Sequence, residues 1–79
     1  MAAREKLLDR MRRSPHANWQ IGDLKAIADR HGIGWRNPSG SHVIFLPESG
    51  PILSVPARRP IKPVYIRLFV EMIARVRKE

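Results

Sequence analysis

The 79-residue chain has no cysteine, which removes both a disulfide framework and thiolate metal ligation from consideration. Acidic residues are scarce, seven in all, and histidine occurs only at positions 16, 31 and 42. The three histidines are well apart, without an H-x-x-x-H spacing or a carboxylate pair beside them, so no metal site and no cofactor are expected. No carboxylate is spaced to complete a Ser/His/Asp set around His42, and no glycine-rich phosphate loop is present. Long apolar runs are missing as well. Stretches such as Val43–Leu46 and Ile52–Leu53 fall far short of the roughly 20 residues that span a bilayer. The opening "MAAREKLLDRMRRS" is charged throughout where a signal peptide needs an apolar block. A cytoplasmic protein with no membrane partner is the expectation.

Positive charge is what the chain has in excess. Fifteen Lys and Arg face seven Asp and Glu, a formal net charge of +8. Such an imbalance attracts polyanions, nucleic acid first. Most of these cations are arginine, whose planar fork suits bidentate phosphate contacts. A chain this short forms a single domain, residues 1–79, and buries only roughly 60–65% of its unfolded surface. It has no room for a deep cleft between two domains, so any chemistry belongs on an open face.

Hydrophobic periodicity predicts an α-α-β-β-β-α order. Residues 2–13 read as a helix with Ala3, Leu7, Leu8 and Met11 on one stripe, stopped by Ser14-Pro15. A second helix is expected from about Asp23 to His31, with Leu24, Ile27, Ala28 and His31 sharing a face. Ile21 is placed ahead of it as a staple, and Gly32 as its left-handed cap. Residues 33–37, 41–46 and 51–55 then read as short strands separated by "PSG" and "PESG" turns. After a proline-rich stretch, a last helix over about residues 64–77 carries a seam of Tyr65, Leu68, Phe69, Met72, Ile73 and Val76. The predicted fold class is α+β: a three-stranded antiparallel sheet with helices on one face and the other face open. Residues 1–15 are expected as an N-terminal helical extension to a core at 21–77.

His42 is the leading candidate for chemistry. Alternation puts Val43 and Phe45 on one face of the strand and His42 with Ile44 on the other. If Phe45 meets the helices, His42 meets solvent, where an imidazole can lend or take a proton near neutral pH. The "PSG" turn brings backbone N–H groups and the Ser41 hydroxyl close by, able to hold a phosphate oxygen. Arg58, Arg59 and Lys62 crowd the proline-stiffened "VPARRPIKP", a compact phosphate site in a loop that loses little entropy on binding. Trp35 beside Arg36 is either a base-stacking surface or core. Trp19 is expected in the core, His31 in a capping or packing role, and His16 has no feature to recommend it.

"GSHVIF" at 40–45, a turn, and then "VPARRPIKPVYIRLFVEMI" at 55–73 together resemble the HicA family of toxins from type II toxin–antitoxin systems. The resemblance covers roughly residues 21–75. It implies a double-stranded-RNA-binding-domain-like (dsRBD-like) fold, here α-β-β-β-α behind an extra N-terminal helix. It further implies an mRNA interferase, that is, an endoribonuclease acting on mRNA, neutralised by a HicB-type antitoxin. His42 is then the catalytic residue, with Gly40 and Ser41 shaping its turn. RNA contacts are expected from Gly40, Ser41, Arg58, Arg59, Lys62, Trp35 and Arg36. Many members carry a second histidine where this chain has Arg58. Three functions are therefore compatible with these residues: a metal-independent ribonuclease, a non-catalytic RNA-binding domain of the same fold, and a basic interaction protein for an acidic partner.

Overall fold

A computed structural model describes residues 2–78, with side-chain surroundings for residues 6–76. Three helices and three strands follow the expected order: α1 (Ala2–Arg13), α2 (Ile21–Arg30), β1 (Gly34–Arg36), β2 (His42–Leu46), β3 (Leu53–Pro56) and α3 (Pro63–Lys78). The strands form one antiparallel sheet in the order β1-β2-β3. Trp35 pairs with Phe45, and Val43 with Val55.

α1 ends where expected. Leu8 and Met11 are buried, Leu7 packs at the margin, and Ala3 lies outside the residues whose side chains are described. The connector that follows is held by Trp19, whose indole N–H donates to the Ser14 carbonyl at 2.8 Å. Arg10 lies over the same ring, 5.6 Å from its centroid. Trp19 is itself core, only 3% exposed. α1 packs against both other helices and contributes to the same apolar cluster as they do.

α2 begins at Ile21, two residues ahead of the expected start. Gln20 takes the N-cap position with an extended backbone, and its N–H donates to the Asp23 carboxylate at 2.9 Å. That bond satisfies one of the orphan donors of the first turn, and the carboxylate suits the positive end of the helix dipole. Ile21 is thus the first helical residue and packs on the core, rather than serving as a staple outside the helix. Gly32 ends the helix with φ +70°, a conformation that L side chains rarely adopt. His31 is the C-cap, half-buried, its N–H donating to Ile27 and Ala28 carbonyls at 3.1 Å.

β2 alternates as its sequence does: Val43 and Phe45 are fully buried while His42 is exposed and Ile44 and Leu46 are half-buried. Phe45 meets Phe69 of α3 with ring centroids 5.1 Å apart, fixing which face the helices cover. β3 runs from Leu53 to Pro56, not from Pro51. Pro51 has no N–H for a ladder, Gly50 turns the chain at φ +92°, and Ile52 is left 61% exposed in the turn. The seam of α3 is rotated from the expected one. Ile66, Phe69, Met72 and Ile73 are buried, whereas Leu68 is 42% exposed and Tyr65 and Val76 lie at the margin. Three residues of the expected seam, Phe69, Met72 and Ile73, are thus buried, and Ile66 takes the place at the start of the seam expected for Tyr65 and Leu68.

Candidate functional site

The cleft forms at the end of the sheet, where the turn between β1 and β2 faces the loop between β3 and α3. In the first turn, the Asn37 side-chain oxygen accepts the Gly40 N–H at 3.0 Å. Gly40 sits at φ +83°, so this side-chain-closed turn needs glycine at that point. Ser39 Oγ and Ser41 Oγ are 3.0 Å apart, and Ser41 Oγ lies 3.2 Å from Nδ1 of His42. His42 opens β2 opposite Pro56, and its ring belongs to the uncovered side of the sheet.

The facing loop is pinned at both ends. The Ala57 N–H donates to the Ser41 carbonyl at 2.9 Å, extending the β2–β3 pairing by one bond across the mouth of the cleft. The Ile61 N–H donates to the Trp19 carbonyl, also at 2.9 Å, and the Ile61 side chain is 2% exposed. Arg58, Arg59 and Pro60 span the interval, with a cis Arg59–Pro60 peptide bond, and the three are exposed. Lys62, also exposed, follows Ile61. The local sequence accounts for this: apolar Ile61 dives into the core and drags a run of cations to the rim, where water solvates them.

Between the two walls is an open cleft of about 420 Å³. Gly40, Ser41 and His42 line it on one side; Arg58, Pro60 and Lys62 line it on the other; Pro56, Ala57 and Tyr65 complete it. Among the described residues the cleft thus gathers one imidazole, one serine hydroxyl, two cations and a phenol, with no carboxylate in its lining. Such a set can accept a proton and hold a phosphodiester anion.

Five of the eight expected site residues come together here: Gly40, Ser41, His42, Arg58 and Lys62. Arg59 belongs to the same loop but does not line the cleft. Arg36 lies opposite Ile44, on the face His42 shares, but at the sheet edge and outside the cleft. Trp35 lies opposite Phe45 and so turns to the helix side. There its indole N–H donates to Asp29 Oδ1 at 3.0 Å, and the Lys25 ammonium stands 4.5 Å from its ring centroid. Tyr65, expected only in the seam of the last helix, both packs at the margin of the core and lines the cleft. Its place just after the "IKP" helix start is the one signal that could have exposed it, because the first turn of a helix faces whatever loop precedes it.

Among the described residues no group of three or more His, Asp or Glu is arranged to hold a metal ion. None of the described helices is long and apolar enough to cross a membrane. Compared with known proteins, the chain matches no protein family, and no curated protein or solved structure is similar to it. What stands without such a match is the class: a small, basic α+β domain with an open cleft at the end of its sheet.

Proposed function

We propose that this protein is a metal-independent endoribonuclease of the HicA type, a dsRBD-like toxin that cleaves mRNA in the cytoplasm and is neutralised by a HicB-type antitoxin. The observation that carries the proposal is the meeting of His42 with Arg58 and Lys62 across one open cleft. The "GSH…VP…IKP" resemblance supports it from a separate direction, since those segments are the ones that build the cleft walls.

In this mechanism His42 takes the proton of a ribose 2′-hydroxyl, and the 2′-oxygen attacks the adjacent phosphorus. The bond from phosphorus to the 5′-oxygen breaks, leaving a 2′,3′-cyclic phosphate and a 5′-hydroxyl. The departing 5′-oxygen receives its proton from the imidazolium or from water. Arg58 and Lys62 hold the non-bridging oxygens as charge builds on them. General-base action of this kind contributes about 10²–10⁴-fold.

Incubation of the purified protein with RNA in EDTA tests the proposal. Cleavage by the parent, lost in His42→Ala while RNA binding persists, is the expected result. A His42→Ala protein as active as its parent overturns it. Retention of RNA without any cleavage favours the second function, a non-catalytic RNA-binding domain. The observation on its side is Arg58, which occupies the position of a second family histidine and leaves the cleft with a single imidazole.

A further inference from the structure

An imidazole offers two nitrogens, and in the neutral ring one donates while the other accepts. Which of them works in the cleft depends on what the other is tied to. Here Nδ1 of His42 is tied to Ser41 Oγ at 3.2 Å, and that oxygen is in turn 3.0 Å from Ser39 Oγ. Ser39 Oγ also accepts the Ser41 N–H at 3.5 Å, which tethers it to the same turn. The closure of that turn by Asn37 on Gly40 holds both hydroxyls on the side of the imidazole.

We propose that Ser41, oriented by Ser39, is a positioning residue that engages Nδ1 of His42 as acceptor and so leaves Nε2 as the nitrogen that takes the ribose proton. This assignment rests on the ribonuclease function proposed above. Each hydroxyl has a single proton and two lone pairs, so what sets the ring's tautomer is whether Ser41 Oγ donates to Nδ1 or accepts from it. With the relay run inward, Ser39 donates to Ser41, Ser41 donates to Nδ1, and Nε2 carries hydrogen and has no lone pair for a proton. With it run outward, Nδ1–H donates to Ser41 Oγ, Ser41 O–H donates to Ser39 Oγ, and Nε2 is bare. Nε2 is a base only where Nδ1–H donates to Ser41 Oγ, whether Ser41 then donates to Ser39 Oγ or accepts from it. That arrangement also suits the step itself. When Nε2 gains the proton, Nδ1–H is already bonded, and that bond strengthens as it becomes charge-assisted, with no rearrangement of the turn. The serines supply no proton to the reaction; they decide where the ring accepts one.

The test is ¹⁵N NMR of the labelled intact protein, at a pH where its imidazoles are neutral, with the His42 signals identified by their loss in His42→Ala. An imidazole free in water favours the Nε2–H form. The expected wild-type spectrum shows His42 mainly as the Nδ1–H form. Ser41→Ala returns the ring to Nε2–H, Ser41→Thr keeps Nδ1–H, and Ser39→Ala falls between. In RNA cleavage, Ser41→Ala lowers kcat by roughly 3–10-fold, a larger change than in KM, and Ser41→Thr restores it. A wild-type ring mainly in the Nε2–H form, or a tautomer balance indifferent to Ser41→Ala, overturns the positioning role. A parent protein that shows the tautomer switch yet cleaves no RNA removes the nuclease function and leaves the relay standing.

Discussion

The two walls of the cleft are built by opposite means. The wall at Gly40, Ser41 and His42 is uncharged in its turn and held by its own side chains, through Asn37, Ser39 and Ser41. The wall at Arg58, Pro60 and Lys62 is cationic and held from outside, by the Ala57 and Ile61 backbone bonds and by an apolar anchor in the core. A self-closed turn fixes angles at short range, which suits a proton-transfer group needing hydrogen-bond precision. A loop strung between two pins leaves its cations free to follow a backbone of phosphates, which needs charge more than angle. Under the proposed ribonuclease function, damage to the first wall should appear in the chemical step and damage to the second in binding.

The largest expected effect sharpens that division. His42→Ala lowers cleavage by about 10²–10⁴-fold while RNA affinity, read by gel shift, stays close to the parent's. Equal losses in both readouts would erase the distinction between walls. Next comes Ile61→Ala, which empties a buried site and withdraws the pin from the cationic wall. About 2–5 kcal/mol of unfolding free energy should be lost in urea titration, with the remaining defect in KM more than in kcat. The double change Arg58→Ala, Lys62→Ala should weaken RNA binding and flatten its salt dependence. With about 0.7 per phosphate contact on a single strand, the log–log slope should become shallower by about 1.4. An unchanged slope would assign these cations to an acidic protein partner instead. The smallest effect is expected at a distance from both walls. Trp35→Phe removes the indole bond to Asp29, a loss of about 0.5–1.5 kcal/mol in stability, and leaves RNA affinity at the parent's level. An affinity loss without a stability loss would make Trp35 a base-stacking residue.

Much of the fold was legible because periods of two and of three to four residues are hard to confuse in "SHVIFL" and "YIRLFVEMIARV". Alternation around Phe45 was enough to expose His42, and Gly32 announced the end of α2. Sequence and structure differ where several residues satisfy one rule. The first turns of the last helix have apolar residues at 64, 65, 66 and 68, and packing of Phe69 on Phe45 makes Ile66, not Tyr65 or Leu68, the buried one among them. Gln20 is a poor advertisement for an N-cap compared with Ser, Thr, Asp or Asn, so α2 starts earlier than periodicity placed it. The expected site fared similarly. "GSH" and "ARRPIK" were legible as separate clusters. That they face one another depends on the Ala57–Ser41 bond, a long-range pairing that no local pattern encodes. The sequence around Trp35 allows base stacking and core alike, and register with Phe45 turns it to the helix side.

The carbonyl of Trp19 holds Ile61, so the cationic wall hangs from a tryptophan. This gives the molecule a built-in fluorophore wired to its cationic loop. In a Trp35→Phe background the remaining indole emission comes from residue 19 alone, and a polyanion drawn onto Arg58 and Lys62 should alter its wavelength or intensity through that single backbone link. Occupancy of the cleft becomes readable by light, with no label attached and no turnover required.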